Sequence, residues 1–135
     1  MAYQLAFDKL LFYDSSMSGI TVPVFLQIGT LIANVDAKLD TGSTHCIFQR
    51  FVGNKLGLDI ESGYRIEVRS AKGLFIAYGH NVTLTVLDFT FDSLVYFAKD
   101  DDFTRDVLGR QGFLNKVQIG VRDYQGELYL SRNDS

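Results

Sequence analysis

A chain of 135 residues that is 47% hydrophobic and 21% charged can bury one sizeable core but is too short for two full domains. Its net charge of −3, with Lys and Arg scattered among acids, offers no long-range pull on a polyanion, so nucleic acid is not an expected partner. A 13% aromatic content with a single proline argues against a disordered tail, and the lone Cys46 rules out an internal disulfide.

Residues 1–19 carry Asp8, Lys9 and Asp14 where an export signal would be basic and then continuously apolar, and no later run approaches membrane-spanning length. The expectation is a cytoplasmic protein without a membrane partner. Tyr3 to Phe7 has a strand pattern, which makes residues 1–19 an N-terminal extension or an extra strand. After the loop-forming Ser15-Ser16-Met17-Ser18-Gly19, a second strand is expected from Ile20 to Ile28.

Period-two alternation is plainest at Leu31, Ala33, Val35, Ala37 and Leu39, with Asn34, Asp36 and Lys38 on the other face. This half-buried strand ends at Asp40. Gln49 to Leu56 reads as a short helix closed by Gly57. Tyr64, Ile66 and Val68 alternate with Arg65, Glu67 and Arg69, and open a hairpin over residues 64–78 with its tip at Ser70-Ala71-Lys72-Gly73. Val82, Leu84 and Val86 continue the alternation, and Leu94 to Ala98 gives another strand before a polar loop at Lys99 to Asp102. Val107-Leu108-Gly109-Arg110 is an apolar segment running into glycine, followed by one or two helical turns over Gln111 to Lys116. Val117 to Val121 and Glu127 to Ser131 flank Tyr124-Gln125-Gly126 as a hairpin spanning 117–131. The sum is a single all-β domain over 1–135 with one or two short helices.

An aspartate delivered at the end of a buried strand and followed by Thr-Gly is suited to carboxylate-based hydrolysis. The strand fixes the backbone, Thr41 offers a hydroxyl, and Gly42 lets amides approach without a Cβ in the way. Asp40-Thr41-Gly42-Ser43 can also be read as a simple turn, since Asp, Gly and Ser are common turn residues. Other polar residues carry weaker signals. His45 and His80 lack ligand spacing and read as structural histidines. Asp100, Asp101 and Asp102 lack the glycine turn and distal Glu of a calcium loop, and Cys46, beside Ile47-Phe48, reads as a buried inert thiol. No metal or cofactor is expected.

Taken together, Ala37-Lys38-Leu39-Asp40-Thr41-Gly42-Ser43, the hairpin tipped by Ser70 to Gly73, and Val107-Leu108-Gly109-Arg110 resemble, in that order, the retropepsin-like aspartic proteases. The similarity runs from about Ile20 to Leu130. It implies a closed β-barrel of the acid-protease type and an aspartic endopeptidase that cleaves an extended polypeptide. In this family Asp40 would be the catalytic carboxylate, with Thr41, Gly42 and Ser43 positioning the loop. Ser70, Ala71, Lys72 and Gly73 would form a flap over a peptide or protein substrate, and Leu108, Gly109 and Arg110 would support the catalytic loop.

The mechanism needs two aspartates, and the sequence holds no second Asp-Thr-Gly or Asp-Ser-Gly. The resemblance therefore implies a homodimer in which Asp40 meets its own copy, with the 117–131 hairpin at the interface. The alternative is a catalytically silent module of the same fold, serving dimerisation or peptide binding. Two departures from the family pattern stand out. The acid that usually pairs with Arg110 is missing from Thr44-His45-Cys46, and Lys72 replaces the apolar, glycine-rich flap tips of many viral members. The Ser43 hydroxyl is expected to donate to the Asp40 carboxylate and favour its ionised form.

Overall fold

The alternating segments form strands because each exposes one face to a common apolar interior and the other to water. The computed structural model describes residues 1–133. In chain order the strands are β1 (Lys9–Phe12), β2 (Ile20–Ile28), β3 (Leu31–Leu39), β4 (Ile47–Phe48), β5 (Tyr64–Ser70), β6 (Gly73–Val86), β7 (Phe89–Ala98), β8 (Val107–Leu108), β9 (Val117–Arg122) and β10 (Glu127–Arg132). The only α-helix among the described residues is α1 (Arg50–Lys55), with single 3-10 turns at Ile60–Ser62, Leu114–Lys116 and Asp123–Gln125. The chain is mostly β, as expected.

β2 and β3 form a long hairpin, paired from Ile20↔Leu39 to Ile28↔Leu31. The seven-stranded sheet runs β2-β3-β8-β4-β7-β6-β5, and a further pairing of β2 with β6, from Val24↔Val86 to Gln27↔Thr83, closes the order into a ring. The ring encloses Val22, Val24, Leu26, Ala37, Phe48, Leu84, Phe97 and Leu108, all buried. Among the described residues β5 pairs with β6 alone and stands outside the ring as an edge.

The β5–β6 hairpin reverses at Ala71 and Lys72, between the paired Ser70 and Gly73. Neither turn residue has a positive φ; Gly73 takes φ +117°, where a side chain would be strained, so glycine completes the reversal. The Ser70 hydroxyl donates to the Gly73 carbonyl at 3.0 Å and accepts the Lys72 amide at 3.3 Å.

The second, three-stranded sheet has the order β1-β10-β9. Its N-terminal strand is not the expected Tyr3 to Phe7. The strand lies at Lys9–Phe12, whereas residues 3–7 are outside any strand. Alternation at 3–7 specifies a face, but the open edge of β10 is taken by the later segment, from Lys9↔Leu130 to Phe12↔Glu127. β10 is thus the middle strand, and the outer edges belong to β1 and β9. Among the described residues, no helix is long and apolar enough to cross a membrane.

Candidate active site

Parallel pairing explains how two distant motifs meet. β8 lies beside β3 in the same direction, with Lys38↔Val107 and Leu39↔Leu108 in register. Parallel neighbours end at the same end of a sheet, so the segments leaving them, 40–45 and 109–112, emerge side by side. β4 then returns antiparallel to β8 at Ile47↔Val107, so β8 is inserted between the two strands that flank the Asp40 loop.

Backbone hydrogen bonds stitch the two loops together. The amides of Asp40, Arg110 and Gln111 donate to the carbonyls of Leu108, Ser43 and Thr44 at 2.9, 2.9 and 2.8 Å. A parallel bridge between His45 and Gln111 extends the contact. Gly109 is required by this crossing, since a Cβ there would lie 2.2 Å from the His45 carbonyl oxygen and 2.7 Å from that of Ser43.

Asp40 and its two successors are exposed at the loop tip. The Gly42 amide donates to Asp40 Oδ1 at 2.9 Å, and the Ser43 amide donates to the Asp40 carbonyl at 3.1 Å. A Cβ at Gly42 would sit 3.2 Å from the same carboxylate oxygen, close enough to crowd it. The loop thus presents an oriented carboxylate to solvent.

Ser43 departs from expectation. Its hydroxyl donates to the His45 carbonyl at 2.7 Å instead of to the Asp40 carboxylate. The half-buried side chain is engaged there by a backbone carbonyl two residues on, a local bond that serine forms readily. Arg110 is exposed, and its guanidinium has no hydrogen-bond or ionic partner among the described residues.

Several supports are not evident from the residue pattern. Cys46 Sγ accepts the Gly109 amide at 3.4 Å, and burial pushes its thiol up to about 11, partly offset by that hydrogen bond. Asp106 receives the Gln49 amide at 2.9 Å and the Gln49 side chain at 3.1 Å, while its own carbonyl accepts the Lys38 amide at 2.8 Å. A carboxylate directly before the apolar Val107-Leu108 pair is the signal by which Asp106 could have been singled out in the sequence, and the sequence reading passed over it. His45 packs against Tyr96 with tilted rings, centroids 4.6 Å apart, and desolvation holds its imidazole below the usual range.

The expected flap tip, Ser70 to Gly73, lies across from residues 102–105. Together with Leu74 and Phe75 they line a cleft of about 440 Å³, floored by Phe75 against Phe103 at 4.9 Å. Asp40 is not in its lining. His80 is structural, bonded through Nε2 to the Ile60 carbonyl at 2.9 Å. No cluster of metal-ligating side chains occurs among the described residues.

No protein-family model matches the sequence, nor does any curated protein. Solved structures do match. A retropepsin-like aspartic protease from Rickettsia conorii superposes with a TM-score of 0.66 at 13% identity, covering 91% of this chain and 97% of that one. EIAV protease, solved with the inhibitor HBY-793, gives a TM-score of 0.54 at 18% identity, covering 69% of this chain and 83% of that one. Identity this low speaks to architecture alone, and on that architecture the chain has the fold of the retropepsin-like aspartic proteases.

Proposed function

We propose that this protein is an aspartic endopeptidase that works as a homodimer, with Asp40 of each subunit supplying half of the catalytic dyad. The observation that carries the reading is the Asp40 loop itself. An exposed carboxylate is oriented by the Gly42 amide, and its backbone is clamped against Leu108 to Gln111.

Two such carboxyls facing each other across a two-fold axis cannot readily both ionise, so the pair shares a proton and titrates as a unit. The ionised member takes a proton from water, which attacks the scissile carbonyl. The protonated member donates to the carbonyl oxygen as it becomes tetrahedral. Aspartic proteases are themselves the general illustration of this coupling, so the chemistry follows a known pattern; its assignment to Asp40 is specific to this chain. In this reading the exposed Thr41 hydroxyl bonds to its copy across the axis, and Gly42 and Ser43 hold the loop through their backbone and, for Ser43, the bond to His45.

The Ser70 to Gly73 tip acts as the flap over the peptide. The 117–131 hairpin and β1 supply the dimer surface, because among the described residues the β1 and β9 edges are unpaired and Leu10, Phe12 and Val121 are exposed beside them. A catalytically silent, peptide-binding dimer is the second reading; it is favoured by the cleft at the hairpin tip, whose lining can receive a peptide side chain and does not include Asp40. Cleavage of a broad peptide library from acidic to neutral pH, with parent and Asp40→Asn compared alongside sedimentation, separates the two. Cleavage by a dimeric parent that is lost in a dimeric Asp40→Asn supports the protease. A parent that is dimeric and inactive supports the binding module, and a strictly monomeric parent defeats the dyad.

A further inference from the structure

The cleft between the hairpin tip and residues 102–105 carries an uneven charge. Its lining holds two cations, Lys72 and Arg105, and one acid, Asp102. Neither cation has an ionic or hydrogen-bonding side-chain partner among the described residues. The two acids just before Asp102 lie outside the lining. Asp100 and Asp101 act on Arg50, whose guanidinium they help to hold in its charged form and which is already engaged by Glu61 and the Lys99 carbonyl. The floor is apolar, formed by Phe75 and Phe103, with the exposed Leu74 at one wall.

A space of about 440 Å³ lies within the range that holds a small ligand or a pair of side chains. An unpaired cation on the rim of a partly desolvated cleft selects for an anion, since the charge is less screened than in open water. We propose, resting on the peptide-cleaving or peptide-binding reading above, that this cleft selects an extended peptide bearing a bulky apolar side chain and a carboxylate side chain together. The apolar group packs on Phe75 and Phe103, and the carboxylate meets Arg105 and Lys72. Side chains that enter the same cleft from an extended chain must project from the same face, so the two are separated by one intervening residue. Arg105, with its planar fork, is the stronger carboxylate partner; Lys72 adds a mobile point charge from the hairpin tip.

The test uses the non-cleaving Asp40→Asn protein and fluorescence anisotropy of labelled octapeptides that contain Phe, with Glu or Gln placed two residues away on either side. The Glu peptide should bind about tenfold more tightly than its Gln twin at low salt, as a charge-assisted contact predicts. The preference should fall towards unity in Lys72→Gln/Arg105→Gln, and Arg105→Glu should move it towards a Lys peptide. Both side chains are exposed, so these variants should fold. Equal binding of Glu and Gln peptides, a preference that persists in the double variant, or no binding at all overturns the proposal. Selective binding by Asp40→Asn alongside a dimeric, inactive parent would defeat the protease reading alone and leave this inference standing.

Discussion

Gly109→Ala is the substitution on which the site's geometry is most exposed. The added methyl would sit 2.2 Å from the His45 carbonyl oxygen and 2.7 Å from both the His45 carbonyl carbon and the Ser43 oxygen. These are backbone atoms that cannot rotate aside, so relief requires the two loops to part by about 1 Å to reach ordinary contact distance. Parting them breaks or stretches the bonds from Arg110 to Ser43 and from Gln111 to Thr44, 2.9 and 2.8 Å long, together with the Gly109 amide to Cys46. At about 1 kcal/mol each, the loss comes to about 3 kcal/mol, a large share of a typical domain's stability. Urea unfolding at fixed protein concentration should show the midpoint falling with little change in slope. Displacing Asp40 by about 1 Å should also lower peptide cleavage about a hundredfold. A midpoint unchanged within error, together with undiminished cleavage, would refute the claim that the loop crossing positions the carboxylate.

Ser43→Ala removes a donor to the His45 carbonyl and should cost about 1 kcal/mol in chemical unfolding, while the acidic limb of the pH-rate profile stays where it is; a shifted limb would mean that the hydroxyl reaches Asp40 during turnover. Cys46 is fully buried, with its thiol raised from 9.0 to about 11, so the native protein should react with a thiol reagent at pH 8 far more slowly than the urea-unfolded chain. Because the folded thiol holds its proton more tightly than the unfolded one, its contribution is complete below pH 9 and is lost as pH rises towards 11, a slope that Cys46→Ala should remove. Glu61 is held below its ordinary range of 4.5 by Arg50, so its contribution is present above that value and lost as pH falls through the lower folded value. Acid unfolding of Glu61→Gln should lack that component.

Much of this fold is legible because alternation and turn chemistry agree. Leu31 to Leu39 alternates cleanly, and the strand occupies those residues; Ile20 to Ile28 likewise matches its strand. Tyr3 to Phe7 shows the limit. The alternation there specifies a face, whereas whether a segment pairs depends on which edge is open and which neighbour reaches it first in space. β4 was invisible for the same reason, since two buried residues, Ile47 and Phe48, have no period and are strand only because β7 and β8 lie on either side. At the site, Asp40 and Gly109 could be picked out as residue types, but the Ser43 hydroxyl has two possible acceptors within reach and only the folded loop decides between them.

The missing acid opposite Arg110 changes what holds the Asp40 loop. An exposed ion pair contributes little, with a median below about 1 kcal/mol, so its loss need not loosen the loop if other contacts span the same gap. Here they do. Cys46, one residue past His45, receives the Gly109 amide from inside the core, and Asp106 ties β3, through the Lys38 amide, to Gln49 at the start of α1. Both contacts are half-buried or buried, where solvent competes less for the partners. The bracing has therefore moved from a surface side-chain pair to backbone bonds and two interior acceptors. On this account Arg110→Ala should leave unfolding nearly unchanged, whereas Asp106→Ala should destabilise by about 2 kcal/mol by stranding the Gln49 amide. The opposite order in paired urea titrations would return the brace to Arg110.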